Sequence, residues 1–125
     1  MAEKRILIVD DAIFQSEILA EVFGNQFGEK LDVDVAKDFK SVQQLFLNND
    51  YDLILTDYLL GSVGTGVELK EKVDAEIDSD ADWVLMSALD VDSLKENHRG
   101  AGFKGFVHKS DYAEICQKVG LILFP

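Results

Sequence analysis

Cysteine, proline and histidine are scarce in this 125-residue chain, at one, one and two residues, and Lys and Arg are half as numerous as Asp and Glu. Each shortage excludes something. The single thiol, Cys116, has no partner for an internal disulfide, and it falls on an apolar helical pattern that reads as a small core residue. His98 and His108 are too isolated to make a zinc site. No apolar span reaches the roughly twenty residues a membrane helix needs. The start, Met1-Ala2-Glu3-Lys4-Arg5, runs into a short strand rather than a signal-peptide apolar region, so a soluble cytoplasmic protein is expected. The net charge of -12 argues against general attraction to nucleic acid or an anionic membrane surface, and for a partner with a basic contact face.

What is present is a regular alternation of patterns. The 47% hydrophobic content is enough for one packed domain, read as residues 1–125. Leu53-Ile54-Leu55-Thr56-Asp57, Ile6-Leu7-Ile8-Val9 and Trp83-Val84-Leu85-Met86 are runs without polar alternation, as in strands buried on both faces. Leu31, Val33 and Val35 alternate with Asp32 and Asp34, which suits an edge strand, and Gly105-Phe106-Val107-His108 is a short final strand.

Helical spacing follows each strand. Asp11 is placed to begin or cap a helix carrying Ile18, Leu19, Val22 and Phe23, closed by Asn25 and Gly28. Asp38 precedes Phe39, Val42, Leu45 and Phe46, and Leu69, Val73 and Ile77 mark a third helix. Asp90 heads a shorter one with Val91, Leu94 and Ala101 inward, ended by Gly100 and Gly102. Asp111 with Glu114 makes a capping box for a last helix whose Tyr112, Ile115, Val119 and Ile122 share a face. Five β-α units without linker or repeat predict an α/β fold, a flavodoxin-like five-stranded parallel sheet in the order 2-1-3-4-5 with helices on both faces.

That order brings Asp10, Asp11, Asp57, Ser87 and Lys109 to one rim at the carboxyl ends of the strands. Three close carboxylates repel one another unless a cation compensates, and magnesium, which takes one or two carboxylates and shares its other positions with water and phosphate oxygens, fits that need. Lys109 adds a mobile positive charge and Ser87 a hydroxyl, both suited to an arriving phosphoryl group. An ionised Asp57 is then a candidate nucleophile, since phosphoryl transfer needs chiefly in-line positioning and charge neutralisation. Taken singly, each residue also has an ordinary role: helix cap, surface lysine or turn serine. Leu60 to Gly66 is a glycine-rich segment without the lysine of a phosphate-binding loop, and it reads as a flexible loop.

Val9-Asp10-Asp11, Asp57, Ser87-Ala88 and Gly105-Phe106-Val107-His108-Lys109 resemble the signature of the receiver domain of two-component response regulators, of the stand-alone, chemotaxis-regulator kind. The resemblance covers essentially the whole chain. The predicted strand order is the one known for this family, so the two are not independent. The resemblance implies that Asp57 takes a phosphoryl group from a phosphohistidine on a histidine kinase or phosphotransfer protein. It implies that Asp10, Asp11, Asp57 and the backbone carbonyl of Leu59 hold Mg2+. Lys109 and Ser87 would contact the phosphoryl oxygens, and Phe106 would move inward with Ser87. A downstream protein target would be met through residues 90–123, and phosphorylation would switch those contacts.

Three departures from the family pattern stand out. Ser110 follows Lys109 where a proline in a cis peptide is usual; a cis bond without proline costs about 2.5 to 4 kcal/mol, so a trans bond and a shifted start to the last helix are expected. Gly61 stands where proline is common and, with Gly64 and Gly66, predicts a looser loop. Leu59 and Leu89 occupy the positions that tune the water attacking the acyl phosphate, and apolar side chains there predict slow self-dephosphorylation.

The receiver would be a phosphoacceptor rather than an enzyme turning over a separate substrate, with no output domain. Its apolar end, Leu121-Ile122-Leu123-Phe124, packs on the core or belongs to a homodimer or partner interface. Two alternatives stay open. One is a degenerate receiver serving as a phosphorylation-independent interaction module, for which Ser110 and Gly61 speak. The other is an aspartate-nucleophile phosphatase of the haloacid dehalogenase type, which would need its nucleophile on the first strand and a second aspartate two residues on, where this chain has Ala12.

Overall fold

The structure is a computed structural model that describes residues 2–61 and 64–125. Five strands and five helices alternate: β1 Lys4–Val9, α1 Ile13–Phe27, β2 Leu31–Ala36, α2 Phe39–Phe46, β3 Leu53–Asp57, α3 Gly66–Glu76, β4 Asp82–Ser87, α4 Val91–Asn97, β5 Gly105–His108 and α5 Tyr112–Leu123. All strand pairs are parallel and the order is β2-β1-β3-β4-β5, the expected one.

Strand side chains alternate between faces, and each face has its own core. Ile6, Ile8, Leu53, Leu55, Val84, Met86 and Val107 point to the side covered by α1 and α5, where Leu19, Phe23, Ile115, Val119 and Leu123 meet them. Leu7, Val9, Ile54 and Trp83 point the other way, toward Val42 of α2 and Leu69 and Val73 of α3. Each such fully buried side chain contributes about 1.5 to 3 kcal/mol relative to exposure. The sheet is thereby clamped from both faces. Among the described residues no helix is long and apolar enough to cross a membrane.

Several boundaries differ from the sequence expectation. Asp11 does not cap α1: the N-cap is Ala12, without a side-chain cap, and Asp10 Oδ1 instead accepts the Ala12 N–H at 2.9 Å. The helix runs past Asn25 to Phe27 and stops at Gly28, whose φ of 59° suits glycine. Helix α4 ends at Asn97 with Leu94 its one buried residue, so Ala101 lies in the following turn, where its N–H bonds to the His98 carbonyl.

The capping box expected at α5 is half made. Asp111 accepts from the Glu114 N–H at 3.0 Å, but the Asp111 N–H is already spent on the His108 carbonyl, so Glu114 has nothing to return to. The inward face of α5 is Ile115, Val119 and Leu123; Tyr112 is 39% exposed and Ile122 only half-buried. Of the apolar end, Ile122, Leu123 and Phe124 pack on the core and Leu121 faces outward. Cys116 is partly buried against the same core. No peptide bond among the described residues is cis, so Lys109–Ser110 is trans, and α5 starts at Tyr112 directly after its N-cap Asp111.

The segment between β3 and α3 carries defined backbone hydrogen bonds at its described ends. Ser62 and Val63 lie outside the described residues. On either side of them Leu59 and Thr65 form an antiparallel bridge, closed by Leu60 N–H to Gly64 O and Gly66 N–H to Tyr58 O, and Leu60 is fully buried. A capping box that the sequence reading passed over joins Thr65 and Glu68 at the start of α3.

Candidate functional site

Parallel register sets the site. Val9 pairs with Thr56, Asp57 with Met86, and Ser87 with His108, so β1, β3, β4 and β5 end at nearly the same level. The residues at or just past those ends are Asp10, Asp57, Ser87 and Lys109. Asp10, Asp57 and Ser87 are 1%, 6% and 2% exposed, while Asp11 is exposed. Polar groups buried this deeply need partners.

Lys109 is the partner for two of them. Its Nζ donates to Asp57 Oδ2 at 2.9 Å and lies 2.7 Å from Asp10 Oδ2. The second contact is close enough for an ion pair but not aligned as a hydrogen bond, which leaves Asp10 Oδ2 a buried oxygen with no hydrogen-bond partner. One ammonium therefore faces two buried carboxylates, with Asp11 beside them.

The charges follow from this shortfall. Burial raises the Asp57 pKa; Lys109 opposes that, and the charges of Asp10 and Asp11 add to it, leaving a net rise. Burial also works against the charged form of Lys109, but the carboxylates of Asp10 and Asp57 outweigh it and raise its pKa. One oxygen from each of Asp10, Asp11 and Asp57 falls within 4.8 Å of the others. Three hard oxygens sharing one ammonium suit a hard divalent cation such as magnesium. The hydrogen bonds of the Leu59–Thr65 bridge are made by Tyr58 and Leu60, so that bridge does not use the Leu59 carbonyl.

The structure also shows how the remaining expected residues sit. Ser87 Oγ accepts the Leu89 N–H at 2.9 Å, and the Ser87 carbonyl accepts the Lys109 N–H at 2.8 Å. Phe106 is half-buried with its ring 5.7 Å from that of Phe103. Leu59 and Leu89 are 51% and 54% exposed.

Two glycines that the sequence reading did not place at the site hold it open. A Cβ on Gly61 would lie 2.6 Å from Asp11 Oδ2, and one on Gly66 would lie 2.5 Å from the Asp57 carbonyl oxygen. No single-sequence signal distinguishes these from ordinary loop glycines.

A family model for the response regulator receiver domain matches residues 6–120. The chain belongs to this family. It is a phosphorylation-activated receiver of two-component signalling. Receiver domains bind Mg2+ at their acidic pocket and meet histidine kinases or phosphotransfer proteins and downstream targets. A comparison with curated protein sequences finds no match.

Among solved structures, the chain is similar to the N-terminal domain of a response regulator/sensory box/GGDEF protein from Carboxydothermus hydrogenoformans. The TM-score is 0.79 at 28% identity, covering 96% of this chain and 94% of that one. It is similar to the response regulator TrrA from Thermotoga maritima, solved in complex with Mg2+ and BeF, with a TM-score of 0.78 at 25% identity over 96% and 99% of the two chains. A two-component response regulator from Clostridium difficile shares the fold, with a TM-score of 0.80 at 22% identity over 96% and 95%.

Proposed function

We propose that Asp57 is the residue that accepts the phosphoryl group, from a phosphohistidine of a histidine kinase or phosphotransfer protein. The observation that carries this reading is the position of its carboxylate, at the end of the central strand, buried, and hydrogen-bonded to Lys109. An Asp57 oxygen attacks phosphorus; the O–P bond forms as the P–N bond breaks, and the bonding pair leaves on the imidazole nitrogen. Lys109, released from Asp57 as the carboxylate charge moves outward, follows that charge to the phosphoryl oxygens. Ser87 Oγ accepts from Leu89 N–H, so its own proton remains available to donate to a phosphoryl oxygen.

Asp10, Asp11, Asp57 and the Leu59 carbonyl would hold Mg2+, which supplies the charge neutralisation that lets an anionic group approach three carboxylates. As Ser87 engages the phosphoryl group, Phe106 moves inward and the surface of residues 90–123 changes, altering contacts with a downstream protein. Hydrolysis of the acyl phosphate by the protein itself is slow, because Leu59 and Leu89 offer an attacking water no hydrogen bond.

Intact-mass analysis after incubation with Mg2+ and phosphoramidate, beside Asp57→Asn, tests this directly. One phosphoryl adduct requiring both the metal and Asp57 is expected. An adduct that persists in Asp57→Asn would move the acceptor elsewhere.

A further inference from the structure

The peptide after Lys109 is where this chain breaks the family pattern, and the structure shows what the break adds. A proline there would fix its own φ and carry no N–H. Ser110, which is exposed, leaves φ free and brings two donors, an N–H and an O–H. Both lie against one ring nitrogen, which in the tautomer protonated on Nε2 shares a single lone pair between them. The Ser110 N–H donates to His108 Nδ1 at 3.2 Å, and Ser110 Oγ lies 2.8 Å from that nitrogen.

The bonds around Lys109 then form a closed set. Its N–H is held by the Ser87 carbonyl at 2.8 Å, the residue after it by the His108 ring, and the Asp111 N–H by the His108 carbonyl at 3.0 Å. His108 itself is fixed by pairing with Ser87 across β4 and β5. The Lys109 backbone is thus bracketed on both sides, and its side chain is aimed at Asp10 and Asp57.

We propose that His108 is a positioning residue for Lys109, acting through Ser110: its Nδ1 supplies the restraint on residue 110 that a proline ring would otherwise provide. This requires the neutral ring with its proton on Nε2, leaving the Nδ1 lone pair to accept. It rests on the reading of Lys109 as the group that meets the phosphoryl oxygens.

The test compares His108→Val, which has no acceptor, with His108→Asn, whose Oδ1 stands the same number of bonds from the backbone as Nδ1. The rate of adduct formation from phosphoramidate with Mg2+ is expected to fall about tenfold to a hundredfold in His108→Val, the scale of a small misplacement of a reacting group. His108→Asn should recover most of that loss. In a Ser110→Pro background, which has no donors to hold, His108→Val should have no further effect.

A second readout needs no phosphodonor. Proton exchange of the Lys109 ammonium, followed by 15N NMR in metal-free protein, should speed up in His108→Val and stay slow in His108→Asn. Unchanged exchange and unchanged rate in His108→Val would overturn the proposal, as would a His108→Asn variant no better than His108→Val. Failure of the wild type to form any adduct would instead count against Asp57 as acceptor, and the exchange measurement would still decide the role of His108.

Discussion

Asp11 occupies the space where a side chain on Gly61 would begin: a Cβ at that position would stand 2.6 Å from Asp11 Oδ2. Gly61 also has a φ of 62°, a conformation that costs an L residue roughly 1 to 2 kcal/mol. Both facts make this glycine part of the acidic cluster rather than loop filler. Gly61→Ala is expected to lose stability by about that backbone cost and to weaken Mg2+ binding, because the carboxylate must turn away. Gly28→Ala is the control, at positive φ but with open space around it. It should lose stability and leave Mg2+ affinity unchanged, as read by calorimetric titration.

The second glycine predicts a different failure. A Cβ on Gly66 would lie 2.5 Å from the Asp57 carbonyl oxygen and 2.9 Å from both Leu85 Cδ1 and Thr56 Cγ2, so the obstacle is backbone as well as side chain. Gly66→Ala should cost about 1 to 3 kcal/mol, the usual range for overpacking, and slow adduct formation by displacing Asp57. Urea denaturation and intact-mass time courses read the two effects separately. A variant with wild-type stability would show that the start of α3 can shift freely.

The pH dependence of stability follows from the directions of the two central shifts. Asp57 has a raised pKa in the folded protein, so the native state holds its proton more tightly than the unfolded chain does. Stability attributable to Asp57 is present below its ordinary value of 3.8 and is lost as pH rises through the raised value. Lys109 is raised above 10.5, so its contribution holds below 10.5 and is lost as pH rises through its folded value. Denaturation in EDTA across the acid range should therefore show wild type losing stability relative to Asp57→Asn as pH increases. A gain instead would mean that the Lys109 contact outweighs burial. Mg2+ at a hundred times its Kd should restore about 2.7 kcal/mol to the wild type.

How much of this was legible in the chain depends on range. Which strands are interior could be read because Ile6 to Val9, Leu53 to Leu55 and Trp83 to Met86 are apolar on both faces, whereas Asp32 and Asp34 mark β2 as an edge; the full order also drew on the family resemblance. Parallel pairing then brings the strand ends together without further information, which is why Asp10, Asp57, Ser87 and Lys109 could be named together. Helix ends were less legible, since a cap is decided by competition for one N–H. Asp11 lost its expected capping role to the Asp10–Ala12 bond, and Glu114 lost its share of the box to His108. The roles of Gly61 and Gly66 depend on close approaches between segments, and the His108–Ser110 contact on the local turn of the chain after β5, neither of which a sequence pattern encodes.

The lifetime of the phosphoryl group gives the last prediction. An attacking water must be oriented toward phosphorus, and the side chains flanking the acceptor after β3 and β4 are leucines, about half exposed and without donor or acceptor. Because Leu59 and Leu89 face outward, polar replacements there disturb little packing, so a change in rate reports on the water rather than on the fold. Leu59→Asn should shorten the lifetime of the adduct roughly tenfold, a modest share of what a positioned proton acceptor supplies. The measurement is loss of the phosphoryl mass after removal of the donor, at fixed Mg2+. If the wild type already loses its label as fast as Leu59→Asn, water is being oriented by another group, and Ser87, whose hydroxyl accepts the Leu89 N–H, is the residue to replace next.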